Sequence, residues 1–194
     1  GSNFDDKEKR TTGGRNGYGA KLANIYSNKF IVEVVDSKKK LKFEQVFENN
    51  MSIKNEPVIT KLESKEKSYV KITFYPDLKR FKVKNISNDV VALFHKRVHD
   101  IAATTNNKIK VYFNDEELNI PSFSKYVDMF YSEEYDRVID EENDRWQICA
   151  LYVPNEGGES VSYVNSICTF RGGTHVNYVV DNIVKRLIND YIKK

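Results

Sequence analysis

Cysteine is almost missing from this chain. The two present among 194 residues, Cys149 and Cys168, lie in segments that alternate like strands, and so few thiols exclude a disulfide framework. No signal-peptide pattern opens the chain, which fits cysteines that stay reduced. No apolar stretch approaches the roughly 18–20 residues that span a bilayer, so no membrane partner is expected. Charge of one sign is lacking as well. Lys and Arg number 31 against 28 Asp and Glu, a net of +3, too weak a field to argue for nucleic acid or a membrane surface over the chain as a whole. Any polyanion site must be local. No internal repeat is evident. What is there is a globular mixture, 40% hydrophobic, 12% aromatic and 30% charged, which excludes the disordered class. At roughly 100–200 residues per domain the length suits one large domain or two small ones. Gly1-Ser2 reads either as native or as a cloning remnant, and the last helical pattern ends without a cap, so the chain is expected to be a piece of something larger.

Along the chain, residues 1–17 are polar and turn-rich, with the charge run Asp5-Asp6-Lys7-Glu8-Lys9-Arg10 ahead of Thr11-Thr12-Gly13-Gly14. From Tyr18 the apolar positions Leu22, Ile25 and Tyr26 keep helical spacing, so a helix follows directly on the glycines. Phe30–Val35 and Leu41–Phe47 predict antiparallel strands about the charged turn 36–40, and Val58–Leu62 and Tyr69–Tyr75 predict two more. The lysine-rich joint 63–67 reads as a solvated turn. A second helix is expected from an Asn88/Asp89 cap through Ala102, then a hairpin of Ile109–Phe113 and Leu118–Ile120 about Asn114-Asp115. The domain boundary is placed near Glu117. Beyond it are expected a short helix over 123–130, strands at Trp146–Val153 and Ser160–Thr169, and a final helix from Thr174 with an apolar stripe from Val176 to Tyr191.

The segment Gly13-Gly14-Arg15-Asn16-Gly17-Tyr18-Gly19-Ala20-Lys21-Leu22 carries the chemistry. Its glycines let the backbone approach a ligand closely, and the helix that follows aims unpaired N–H groups and the positive end of its dipole at that ligand. Lys21 and Arg15 add cations. Together they read as a phosphate cradle, against the bland alternative of a glycine turn that merely caps a helix. Two commoner cradles fail. A Walker loop needs Ser or Thr after its lysine to serve Mg²⁺, and Leu22 stands there; a dinucleotide fingerprint needs a preceding strand and a third glycine, and both are missing.

The lid segment Gly13–Leu22, with Ser2-Asn3-Phe4-Asp5-Asp6 upstream, closely resembles the ATP lid of eukaryotic type II DNA topoisomerases, members of the GHKL ATPase group with gyrase and MutL. Tyr126-Val127-Asp128-Met129, Ser162-Tyr163-Val164-Asn165-Ser166-Ile167 and Gly172-Gly173-Thr174-His175 resemble the family's transducer domain in the same order. The resemblance implies an α+β fold: the C-terminal part of a GHKL (Bergerat) ATPase sandwich, with a mixed sheet and helices on one face, over residues 1–116, then a transducer domain of ribosomal-protein-S5-like type over 117–194, incomplete at its C-terminal end.

It also implies roles. Gly14, Arg15, Asn16, Gly17, Tyr18, Gly19, Ala20 and Lys21 would wrap the triphosphate of ATP, and Ser2 and Asn3 would bind near the sugar and phosphates, unless Gly1-Ser2 is vector-derived. The family's catalytic glutamate and the asparagine that holds Mg²⁺ would lie upstream, so no catalytic or metal-ligating residue is assigned here and the chain is not expected to hydrolyse ATP alone. A lysine that reaches the γ-phosphate from a later loop would lie beyond Lys194. Lys193 and Lys194 match a basic segment that touches DNA in the family; two lysines at a helix C-terminus would equally suit the helix dipole. The implied whole is a nuclear, homodimeric enzyme that couples ATP binding and hydrolysis to dimer closure and DNA strand passage.

The remaining clusters have plain readings. His95 and His99 share a helix face but lack the Glu and cysteines of a zinc site. His175 reads as part of a turn, with Thr174 the N-cap. Glu141–Asp144 reads as a solvated turn and Trp146 as core. The rivals to the topoisomerase reading are a non-enzymatic nucleic-acid or protein-binding module, weakened by the absence of a concentrated basic stripe, and another GHKL member such as a mismatch-repair ATPase.

Overall fold

β-Branched and aromatic side chains crowd the stretch from Ser27 to Pro76, and there the chain forms its largest sheet. The computed structural model describes residues 3, 5, 7, 10, 13–63, 65–105, 108–132, 134–143, 145–155 and 157–192. They pack as two units: Gly14–Asn88 with the described part of Gly1–Asp6, and the described parts of Lys7–Gly13 and Asp89–Lys194.

In the first unit, helix α1 (Tyr18–Ile25) leads into strands β1 (Ser27–Asp36), β2 (Leu41–Glu48), β3 (Ile53–Lys54), β4 (Val58–Lys61) and β5 (Tyr69–Pro76). The sheet order is β3-β2-β1-β5, with β4 also on β2, and every pairing is antiparallel. The expected mixed sheet is therefore corrected: a short turn reverses the chain between β1 and β2, and the longer passage from β1 to β5 carries strands but no crossover helix. Cross-strand partners share a face, so Phe30 lies with Phe47 and Phe74 on one side, while Glu33 lies with Glu44 and Lys71 on the other. Phe30 and Val35, on opposite faces, are the buried apolar residues of β1. Ser27 is buried and its hydroxyl donates to the Ala23 carbonyl at 2.6 Å, joining α1 to β1. On the second face, the hydrogen bond from Lys42, then that from the Tyr69 hydroxyl, holds the Glu33 carboxyl below the usual carboxylate range.

The second unit contains α2 (Asn88–Thr104, from Asp89 on), the hairpin β6 (Tyr112–Phe113) and β7 (Glu116–Glu117), α3 (Phe123–Val127), the hairpin β8 (Arg137–Asn143) and β9 (Trp146–Leu151), the hairpin β10 (Tyr163–Val164) and β11 (Ile167–Cys168), and α4 (Thr174–Leu187), which runs into a π-helical turn over Ile188–Ile192. Several expectations shift by a turn's width. Asn114 and Asp115 both have positive φ, 49° and 66°, so a two-residue turn closes at once and the second strand is Glu116–Glu117 rather than Leu118–Ile120. The expected strand over 160–169 is likewise a hairpin, because Asn165 and Ser166 take φ of 50° and 64°. Glu141–Asn143 belongs to β8 rather than to a turn: the polar run sits on a solvated hairpin, where a strand needs no apolar face. The N-cap of α4 is Gly173, with Thr174 the first helical residue. Trp146 is not core; it is 39% exposed and packs its ring 6.2 Å from that of Tyr178.

Candidate functional site

The glycine loop ends where a residue with positive φ is needed. Gly17 is the N-cap of α1 in the left-handed region, φ 68° and ψ 17°, a conformation that costs an L side chain roughly 1–2 kcal/mol. No side chain caps the helix and its first turn holds no acidic residue, so the leading N–H groups face outward without an internal anion. Every residue from Gly13 to Leu22 is exposed. A Cβ at Gly14 or Gly19 would meet nothing within 4 Å, which leaves both backbones approachable. The Asn3 side-chain amide donates to the Gly14 carbonyl at 2.7 Å, bringing one residue of the upstream pair to the edge of the loop. Lys21 sits in the first turn of α1, and since Cα–Cβ bonds tilt toward a helix N-terminus, its stem starts back toward the loop. The structure thus places Gly14, Arg15, Asn16, Gly17, Tyr18, Gly19, Ala20 and Lys21 in one exposed stretch ending on a helix start, with half-buried Asn3 at its edge, an arrangement that fits the oxygens of a polyphosphate. Ser2, Lys193 and Lys194 lie outside the described residues.

A second cluster, which sequence reasoning missed, lies in the other unit. Asp100 of α2 is 3% exposed. Its carboxylate accepts from Lys96 Nζ at 2.9 and 2.7 Å, from the Tyr126 hydroxyl at 2.7 Å and from the Tyr163 hydroxyl at 3.1 Å. Burial, with the hydrogen bonds to Tyr163 and Asp100, pushes the Tyr126 phenol far above its usual range; burial raises Tyr163 too. For Lys96, burial favours the neutral amine, but the hydrogen bond to Asp100 and the charges around it keep the ammonium and raise its pKa. Arg97 donates to the Ser166 carbonyl at 2.6 Å and the Ser166 hydroxyl to the Thr104 carbonyl at 3.2 Å, so the β10–β11 hairpin is tied to α2 at several points. The signal available in sequence was Lys96 and Asp100 four apart on a helix, a spacing as common on solvated faces; the two tyrosines that cover it are distant in the chain.

His95 and His99 pack ring to ring at 4.4 Å, and His99 Nδ1 donates to the His95 carbonyl at 2.9 Å, which occupies that nitrogen. Among the described residues no group of three or more His, Cys, Asp or Glu side chains is placed to hold a metal ion. His175 Nε2 lies 3.2 Å from Thr169 Oγ1, whose hydroxyl donates to the Ser162 carbonyl, so the histidine closes the turn before α4. Cys149 and Cys168 are free thiols.

The DNA gyrase B family model matches residues 83–194. DNA topoisomerase 2 of Arabidopsis thaliana is 46% identical over 202 residues, covering 100% of this chain and 14% of that protein. The ATPase region of Saccharomyces cerevisiae topoisomerase II superposes with a TM-score of 0.87 at 43% identity, covering 97% of this chain and 50% of that one. The ATPase and transducer domains of DNA topoisomerase II from Balamuthia mandrillaris give a TM-score of 0.87 at 42% identity, covering 100% and 50%. The chain therefore spans about a seventh of the Arabidopsis protein and half of each solved chain.

Proposed function

We propose that this chain, which belongs to the DNA gyrase B and type II DNA topoisomerase family, forms part of an ATP-operated clamp that acts on DNA. The observation that carries the reading is the exposed glycine loop running into an uncapped helix start beside Lys21, in a chain whose backbone follows the ATPase region of the yeast enzyme. Gly14, Gly17 and Gly19 would present backbone N–H groups to the triphosphate, Arg15 and Lys21 would neutralise it, and Asn3 would hold the loop edge. ATP, when bound, supplies the phosphates on which the loop closes. This chain binds and orders them through the lid. Mg²⁺ accompanies ATP in such enzymes, and no described residue is assigned as its ligand.

The second unit would act as transducer. The packing division at Asn88 and Asp89 and the family match from residue 83 support starting it there rather than near Glu117. Nucleotide shifts the equilibrium between open and closed dimers through its greater affinity for the closed one, and DNA is the object enclosed. Lys193 and Lys194 would touch that DNA, and the protein would act in the nucleus. Relaxation of supercoiled plasmid by the full-length protein tests the reading. Lys21→Ala should raise the ATP concentration needed for half-maximal relaxation by roughly tenfold or more, as expected for loss of a charge-assisted phosphate contact. An unchanged ATP requirement would remove Lys21 from the site.

A further inference from the structure

Although the chain carries almost no net charge, one segment of the first unit is strongly basic. Lys79, Arg80, Lys82 and Lys84 fall within a span of six residues after β5, and no carboxylate lies between Leu78 and Asn88. All four are exposed, and Lys79, Lys82 and Lys84 make no ion pair with any described residue. The lysine tip at Lys38–Lys40 differs: Asp36, within the same turn, accepts from the amides of Lys38 and Lys39, and Glu63 and Glu66 interrupt the neighbouring loop.

The segment is also held in shape. The Arg80 amide donates to the Asp77 carbonyl at 3.0 Å, the Lys82 amide to the Lys79 carbonyl at 3.0 Å and the Val83 amide to the Leu78 carbonyl at 3.1 Å. Lys82 takes a positive φ of 57° to complete the bend. The Arg80 guanidinium lies 5.0 Å over the Tyr26 ring, and Phe81 packs 5.4 Å from the same ring while remaining 52% exposed. Asp77, the carboxylate at the base of the bend, is engaged by the Arg80 amide at 3.2 Å and by Asn50 Nδ2 at 3.3 Å. Cations are thus displayed on a fixed bend around a half-exposed aromatic pair.

We propose that this bend, residues 79–84, is a DNA-binding surface that engages backbone phosphates without regard to sequence. Uncompensated lysines gain most from a polyanion that releases counterions when they bind, and aromatic rings between cations suit sugar and base faces as well. The site is separate from the lid: Tyr26 follows the last turn of α1, about 12 Å of helix from Gly17. It therefore stands whether or not the lid binds ATP.

The test is fluorescence anisotropy of a labelled DNA duplex titrated with the 194-residue chain at several salt concentrations between about 50 and 200 mM. Lys79→Ala/Lys82→Ala/Lys84→Ala should flatten the slope of log affinity against log salt by about 2.7, or 0.9 per phosphate contact, and weaken binding by up to about 500-fold near 0.1 M salt. Replacing the same three lysines by Arg should keep the slope, and an unchanged circular dichroism spectrum of the alanine variant sets a folding defect aside. Phe81→Ala should weaken single-stranded more than duplex binding. A chain that fails to bind duplex DNA, an unchanged slope in the alanine variant, or displacement of DNA by poly-glutamate at equal charge would overturn the proposal, the last in favour of an acidic protein partner. Affinity for a non-hydrolysable ATP analogue, measured on the full-length protein, should be the same with and without the three alanines, which separates this site from the lid.

Discussion

At the residue scale the most consequential side chain is Asp100, a carboxylate buried with three donors of its own. Taking that charge out of water is costly, and Lys96 with the two phenols offsets the cost together. Asp100→Ala should therefore lower unfolding stability by about 2–3 kcal/mol, since it leaves two part-buried hydroxyls without their acceptor, while the Lys96 side chain, 38% exposed, can turn to water. Tyr163→Phe, which removes one of several donors, should cost about 1 kcal/mol; urea melts of the two variants give the comparison directly. The same cluster fixes a pH response. Tyr126 and Tyr163 have folded pKa values above their unfolded value of about 10, so the stability they add is complete below that pH and is lost as alkali ionises them in the unfolded chain. Stability should fall above about pH 10, and Tyr126→Phe should flatten the fall. None of this was legible in sequence. Lys96 is four residues away on the same helix, but the two tyrosines that complete the cluster come from α3 and β10, brought there only by the fold.

At the scale of elements, periodicity and turn chemistry carried most of the information. The strands β1, β2, β4 and β5 and the helices α1, α2 and α4 stand where alternation and 3.6-residue spacing put them, because each has a long enough apolar pattern to fix its period. The misses are short or polar strands: β3 and β8 carry too little apolar alternation to be expected, and two hairpins are misplaced. Asn114-Asp115 and Asn165-Ser166 lack the glycine that usually marks a two-residue turn, and without that mark the strands beside them are read too long or out of place. Asp115→Gly should thus stabilise the second unit by up to about 1 kcal/mol, since glycine accepts φ of 66° freely; a lowered thermal midpoint would show that the Asp115 side chain contributes more than its backbone costs. Trp146 was misread for a different reason: alternation in β9 is real, but β8 and β9 form a two-stranded hairpin, and a large ring at its end is covered only by Tyr178.

At the scale of the whole molecule, the family was legible from a handful of motifs, while the net charge was a poor guide to where charge is concentrated. A net of +3 conceals the basic bend at 79–84, because the acidic residues that balance it lie elsewhere in the chain. The apolar content is likewise less hidden than composition implies: Val70, Ile72 and Phe74 of β5 share one face of the sheet and all are exposed, Val70 at 69%. The glycine loop and the helix start behind it were legible in sequence, since backbone freedom and a helix start are both written locally. The measurement that bears most directly on the central claim is calorimetric titration of the full-length protein with a non-hydrolysable ATP analogue, with and without Lys21→Ala. Roughly 10- to 100-fold weaker binding by the variant, the equivalent of one charge-assisted hydrogen bond, is the expected result. Equal affinity of the two proteins would contradict the assignment of this loop as the phosphate cradle.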